Sequence, residues 1–399
     1  MKTLRLLAAA LLSAGLLNIA AAQQVSAGAA KPLKEASDLL HAGKAREALA
    51  KLNGVATAGP NDVYMVARLK AAAYQKMGDN VSAAQQLEGA FNTGKVPPNE
   101  AGQVAESIAG AYAQAGNHAK AQQWIEKAKA AGDNSQTLRD LAAYEQASSG
   151  DYSTIARDAA ANIKAAEAAG RKPAENDLLR LADAYRHTGN KAGDLQVKEK
   201  LVLNYPTTQY TGIYLSDLPG KPGFSSRYAL DVMRLRLVTG NITTAADYME
   251  LSQLLLQTGM ATEAKAVVDK GYAANVLGTG PEAARQQRLR DLANHSVEEE
   301  KGSIAKRASD AAAQKDGNSL VQIGMEYASM GDYEKAVDLI QQGIAKDTLK
   351  HPEDAKLRLG VAMLQSGKMN QKAVAQLRTV QGADGAPEIA RLYSVIYAK

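Results

Sequence analysis

Eight glycines recur along this 399-residue chain at Gly43, Gly78, Gly116, Gly150, Gly189, Gly259, Gly331 and Gly367. The intervals are 35, 38, 34, 39, 70, 72 and 36 residues, and the two longest are close to twice 35. A unit of about 35 residues therefore repeats, with two degenerate copies. A tyrosine stands four residues before four of these glycines, at Tyr74, Tyr112, Tyr185 and Tyr327, where the 16 tyrosines of the chain predict about 0.3 such coincidences. An alanine stands five residues after five of them, at Ala48, Ala83, Ala121, Ala264 and Ala336. Two antiparallel helices explain the pattern. The glycine ends the first helix in a conformation that side chains resist. The alanine lets the second helix approach closely, and the tyrosine one turn earlier fills the space beside it. One such hairpin cannot bury both faces, so its neighbours must stack into a solenoid.

The clearest copy is "SLVQIGMEYASMGDYEKAVDLIQQGI", in which Leu320, Ile323-Gly324, Tyr327, Gly331, Tyr333, Ala336 and Ile340 fall at helical spacing. A second carries Ala109, Tyr112, Gly116, Ala121 and Trp124. These residues resemble the tetratricopeptide repeat, a helix pair of 34 residues, and the resemblance covers about residues 33–398 unevenly. Gly150 and Gly367 have their alanine one residue late (Ala156, Ala373), Asp194 stands where alanine belongs after Gly189, and the copy expected over 275–318 lacks the signature. The expected fold is all-α: a tetratricopeptide-like α-solenoid of stacked antiparallel helix pairs, with repeats over 33–203 and 227–399. The low aromatic content of 5% suits such a core, built from Ala, Leu, Val and Ile.

One segment interrupts the rhythm. Residues 204–226, extended to Tyr228, hold Pro206, Pro219 and Pro222 among several glycines and predict a loop or short turns. The same segment carries Tyr205, Tyr210, Tyr214, Phe224 and Tyr228. It reads either as a wedge packing two half-solenoids or as a ligand-contacting insert, with Tyr210, Tyr214 and Phe224 as its contacts.

The first 22 residues read as a secretory signal peptide. Lys2 and Arg5 precede an apolar run from Leu6 that ends at Ala20-Ala21-Ala22, ahead of Gln23. Residues 23–32 are expected to be a flexible linker. The expected location is outside the cytoplasm, in the periplasm, as a soluble protein with no transmembrane segment after cleavage. The formal charge of +5 becomes +3 when Lys2 and Arg5 are removed, which leaves no basis for nucleic-acid binding. The absence of cysteine excludes disulfides, thiol catalysis and thiolate metal sites.

Other signals dissolve on inspection. "GTGPEA" imitates a dinucleotide fingerprint but follows a helical pattern where a strand is required. "SIAK" lacks the motifs that accompany Ser-x-x-Lys in penicillin-binding enzymes. His41, His118, His187, His295 and His351 show no metal-ligand spacing. Trp124 falls at the large-residue core position, and "VEEEK" reads as a solvated helix segment. No catalytic constellation remains, so the chain is read as a non-enzyme that needs no cofactor or metal.

The resemblance implies a concave surface lined by the first helix of each pair, which holds a peptide or a helix of another protein. In the first half that surface would include Arg68, Gln75, Lys76, Glu106 and Gln114. Further along it would include Arg180, Asp183, Arg186 and His187, then Met249, Gln253, Gln257, Gln322 and Met325. Long amides with arginine suit the backbone and carboxylates of a bound peptide. The function expected is an exported scaffold or adaptor for another envelope protein. The alternative is a glycan or small-ligand binder using the aromatic insert at 204–228.

Overall fold

A computed structural model describes residues 25–397, so the signal peptide expected over 1–22 lies outside the described residues. Among the described residues the regular structure is helical throughout, without strands. The chain forms two compact units, one ending at Asp158 and the other beginning at Ala159.

The first unit contains α1 (Ala27–His41), α2 (Ala45–Asn53), α3 (Pro60–Lys76), α4 (Asn80–Asn92), α5 (Ala101–Gln114), α6 (His118–Ala130) and α7 (Gln136–Ser148). The unit boundary falls within α8 (Tyr152–Ala168). Each of α1 to α7 packs on the next, and the first helices of neighbouring pairs also meet, α1 with α3 and α5 with α7. The linker expected over 23–32 is helical from Ala27 onward, because Ala29, Leu33 and Ala36 bury one face of α1 against the following helices.

The second unit continues with α9 (Glu175–His187), α10 (Lys191–Asn204), α11 (Thr208–Asp217), α12 (Ala229–Val238), α13 (Ala245–Gln257) and α14 (Ala261–Ala273). It ends with α15 (Ala283–Ala313), α16 (Asn318–Ser329), α17 (Tyr333–Ala345), α18 (Pro352–Gln365), α19 (Asn370–Leu377) and α20 (Ala386–Tyr397). Consecutive helices again pack as antiparallel pairs. The chain is thus all-α, a series of stacked helix pairs of the tetratricopeptide type.

The eight periodic glycines all lie in the left-handed region, with φ between +67° and +84°. The backbone N–H after the glycine then reaches the carbonyl five residues back, as in Asn117 to Tyr112 (2.9 Å) and Asp332 to Tyr327 (3.0 Å). The residue that donates this bond also opens the next helix. Asp79, Asn117, Asn190 and Asp332 each accept a hydrogen bond from the N–H three residues on. A Gly-Asx pair therefore stops one helix and starts the other. Ala48, Ala83, Ala121, Ala264 and Ala336 are at most 1% exposed, which places the closest helix approach at these positions. Trp124 is buried and meets Phe91 edge-on at 5.0 Å between ring centres.

The two long glycine intervals have different causes. Over 275–318 the chain forms the single 31-residue helix α15, because no proline or left-handed glycine breaks it. Between Gly189 and Gly259 lies the Pro/Gly/Tyr-rich segment. Part of it departs from the expected loop: Thr208–Asp217 is the helix α11, opened by Thr207, whose side chain accepts from Tyr210 N–H. Two short 3₁₀ turns follow, at Leu218–Gly220 and Ser226–Tyr228. The compact second unit takes in α9, α10 and this segment, so its division differs from the expected one at 204–226. The reason is packing, since the segment is anchored on the C-terminal helices described below.

Two glycines inside helices should respond oppositely to alanine. At Gly324 a Cβ would meet Ile340 Cγ1 at 2.6 Å and the Ala336 carbonyl oxygen at 3.0 Å, across the α16–α17 contact. Gly302, inside α15, has nothing within 4 Å of that position. Gly324→Ala is expected to destabilise by about 1–3 kcal/mol through overpacking, and Gly302→Ala to stabilise by about 0.5–1 kcal/mol through helix propensity. Chemical denaturation of the two variants beside the parent checks the pair of signs.

Candidate functional site

The residues expected to face a partner separate by depth. In the first unit, Lys76 is exposed in the last turn of α3, with Gln75 and Gln114 half-buried near their own helix ends. Arg68 is half-buried and donates to Glu100 (Nη1 to Oε2, 3.2 Å) while lying over the Tyr64 ring. Glu106 is interior, only 3% exposed, on the face of α5 that meets the α6–α7 turn. Ser135 Oγ donates to it, and the same oxygen accepts from Leu138 N–H (3.0 Å) to cap α7. Burial pushes the Glu106 carboxyl up to about 7, and the Asp133 carboxylate nearby adds to that push.

In the second unit, Arg186 and His187 are exposed at the end of α9 and both bond to Asp183, Arg186 at 2.6 Å to its carboxylate and His187 Nδ1 at 2.9 Å to its carbonyl. Arg180 is largely buried and donates to Asp177 (2.8 Å). Met249 is buried in the core of α13, Gln253 is half-buried and Gln257 is exposed in the last turn. Gln322 Nε2 donates to the Thr258 carbonyl (2.6 Å), tying α16 to the α13–α14 turn. Met325 lines an internal cleft of α16. Glu106 and Met249 thus belong to the interior of their units. The exposed residues Lys76, Arg186, His187 and Gln257 all sit in the last turn of a first helix, one to three residues before a turn glycine.

The insert's aromatics contact protein. Tyr214 is 1% exposed in the core shared by α10, α12, α18 and α20. Tyr210 is half-buried and donates to Glu175 (2.6 Å), a bond that with burial moves its phenol up to about 12. Phe224 lies edge-on to Tyr228 at 6.0 Å, and its ring fills the space where a side chain on Gly385 would be. Tyr228 is fully buried and donates to Asp354 (2.5 Å). Arg227 bridges Asp354 and Asp384, each at 2.8 Å, and Lys221 pairs with Glu388 (2.7 Å). The segment therefore behaves as a wedge that holds the beginning of the second unit to its end.

Sequence reasoning missed the polar group behind that wedge. Asp231 of α12 is fully buried and pairs with Arg358 of α18, 127 residues away. Tyr393 of α20, also fully buried, donates to the same Asp231 oxygen (3.3 Å). One turn along α12, Arg234 donates to Glu263 of α14 through Nε (2.8 Å) and Nη2. The signal was present as charged residues inside the apolar runs "ALDVMRLRLV" and "KLRLGVAML", where an exposed helix face would not be expected. These pairs enclose a cleft of about 180 Å³.

Residues 317–345, which form α16 and α17 with their turn, match the tetratricopeptide repeat family model. No curated protein matches the chain. Among solved structures, yeast Tom70 aligns over 93% of this chain and 95% of its own at 11% identity and a TM-score of 0.24. The maize pentatricopeptide repeat protein PPR10 aligns over 98% of this chain and 66% of its own at 13% identity and a TM-score of 0.33. At those TM-scores the alignments add nothing to the geometry already described. Helical-repeat folds of this type generally mediate protein–protein contacts as non-enzymatic scaffolds.

Two measurements follow from the placements. Tyr214→Ala is expected to cost about 3–5 kcal/mol of the second unit's stability by opening a core cavity, and Tyr210→Ala about 1 kcal/mol for its lost hydrogen bond; denaturant titration of each variant separates them. For Glu106 the folded chain holds its proton up to about pH 7, whereas the unfolded chain releases it near 4.5. Folding is therefore favoured by the neutral carboxyl below pH 4.5, and this contribution declines as pH rises through 7. Glu106→Gln is expected to flatten the stability profile between pH 5 and 8 and to exceed the parent at pH 8, read as urea midpoints across that range.

Proposed function

We propose that the chain is an exported scaffold that holds another envelope protein, or a peptide segment of one, against the ends of its first helices. The observation that carries this reading is the recurrence of exposed polar residues in the last turn of α3, α9 and α13, represented by Lys76, Arg186 with His187, and Gln257. Stacked repeats present such residues at regular intervals, and amide and guanidinium groups suit the carbonyls and carboxylates of a bound chain. Export rests on the charged, apolar and Ala-rich succession of residues 1–22, which matches a cleavable leader. In this reading the mature protein begins at Gln23 and works in the periplasm. Nothing in the contacts of Tyr210, Tyr214 and Phe224 favours glycan binding at the insert.

Crosslinking of the full-length protein in living cells, with mass spectrometry of the captured species, tests the reading. The expected result is a chain starting at Gln23 in the envelope fraction that captures one dominant envelope protein. Capture should fall severalfold in an Arg186→Glu, Gln257→Glu variant, whose changes lie at exposed positions and leave the buried Arg180–Asp177 pair intact. An uncut chain in the cytoplasm overturns the export, and no capture above background overturns the scaffold.

A further inference from the structure

The cleft in the second unit is lined by Arg234, Glu263, Met325, Tyr333 and Arg358, with small and aliphatic side chains between them. Both arginine side chains are about nine-tenths buried, at 10% exposure each. Arg358 gives Nη1 to Asp231, while its Nε and Nη2 have no acceptor among the described residues. Arg234 gives Nε and Nη2 to Glu263, and Nη2 also approaches the Met260 sulfur (2.7 Å), which leaves Nη1. Two buried guanidinium groups therefore hold unused N–H donors at one cleft. Donors left unpaired away from bulk water cost free energy that an acceptor recovers.

We propose that this cleft binds a small organic carboxylate. A carboxylate is acceptor-only and accepts two parallel N–H bonds from a guanidinium fork, the complement of what the arginines leave unused. Asp231 and Glu263 balance the two arginine charges, so recognition rests on directed N–H groups more than on net field. The remaining wall suits an apolar body: Met325, Ala328, Ile340, Val361 and Ala362 lie there, with the Tyr333 ring beside them. At about 180 Å³ the space is slightly larger than a cavity known to admit benzene. The ligand class is thus a monocarboxylate carrying an apolar group of roughly ring size. This inference is independent of the scaffold reading, because it concerns the interior of the second unit and not its helix ends.

Calorimetric titration of the full chain with benzoate, and with benzamide as the neutral shape control, tests it. Benzoate is expected to bind and benzamide to bind at least about tenfold more weakly. Ala328→Leu fills the cleft without touching either ion pair, and should abolish benzoate binding while the helical spectrum and melting temperature stay at parental values. Arg358→Lys keeps the positive charge beside Asp231, removes the fork, and should also lose benzoate. A short peptide with one internal glutamate distinguishes the source of the carboxylate. If it binds more tightly than benzoate and Ala328→Leu abolishes that binding, the natural carboxylate belongs to a protein side chain. If benzoate alone binds, it is a free acid. Equal binding of benzoate and benzamide, binding unchanged in Ala328→Leu, or no binding of either carboxylate overturns the proposal.

Discussion

The close approach of two helices at an alanine is the constraint on which both units depend. Two helices can pack with their backbones this near only where one side chain is small, and every periodic alanine that the pattern singles out is sealed from solvent. That approach requires a turn that reverses the chain in two or three residues. A glycine with positive φ supplies it at each hairpin, and the following Asp or Asn supplies the next helix with its cap where one is present. Asp194 shows what happens when the small residue is replaced. It is buried where an alanine is expected, and it is held by Lys198, which also reaches Asp217 of α11 (2.7 Å). The repeat position is kept by trading a methyl group for a paired charge, and the pair links the hairpin to the insert.

The second unit carries a further set of buried charges that packing alone does not require. Replacing a buried ion pair with apolar residues of similar size is often neutral or stabilising, whereas removing one partner costs about 3–5 kcal/mol. The pair Asp231–Arg358 therefore contributes position more than stability. It fixes α12 against α18 in one register, and Tyr393 adds α20 to the same carboxylate. Around it, Lys221, Arg227 and Tyr228 reach Glu388, Asp384 and Asp354, while Arg391 reaches Glu199 (2.7 Å). All of these join the start of the unit to its end across more than 120 residues of chain.

That long-range character explains what could be read from the sequence and what could not. Hairpins are local: Tyr, Gly and Ala within ten residues decide where a helix stops and how the next one lies against it, so their periodicity exposed the helix pairs and the core position of Trp124. The expected partner-facing residues were inferred from register alone. Register separates the two sides of an isolated helix but does not say which side a third helix covers, so Glu106 and Met249 proved interior. The insert was read as a loop because Pro and Gly mark chain reversals, but its six residues 209–214 contain neither proline nor a left-handed glycine, and α11 forms there. Asp231 and Arg358 carry no local motif at all. Their meaning arises only when α12 and α18 meet.

Closure also decides which surfaces of the second unit remain for a partner. Besides its neighbours α18 and α19, helix α20 packs on α10 and α12, covering helix faces that a linear stack would leave open. Tyr214, Tyr228 and Tyr393 fill the space between them to zero or near-zero exposure. An extended peptide needs an unobstructed row of helices to lie along, and here that row is interrupted by the protein's own C-terminal helix. What stays accessible is of two kinds: the polar helix ends beside the turn glycines, which suit a macromolecule, and a cleft of ring size with buried guanidinium donors, which admits only a small group. The wedge formed by the insert creates both, since the contacts that close the unit also remove its inner faces from the solvent and leave the cleft as the space that packing does not fill.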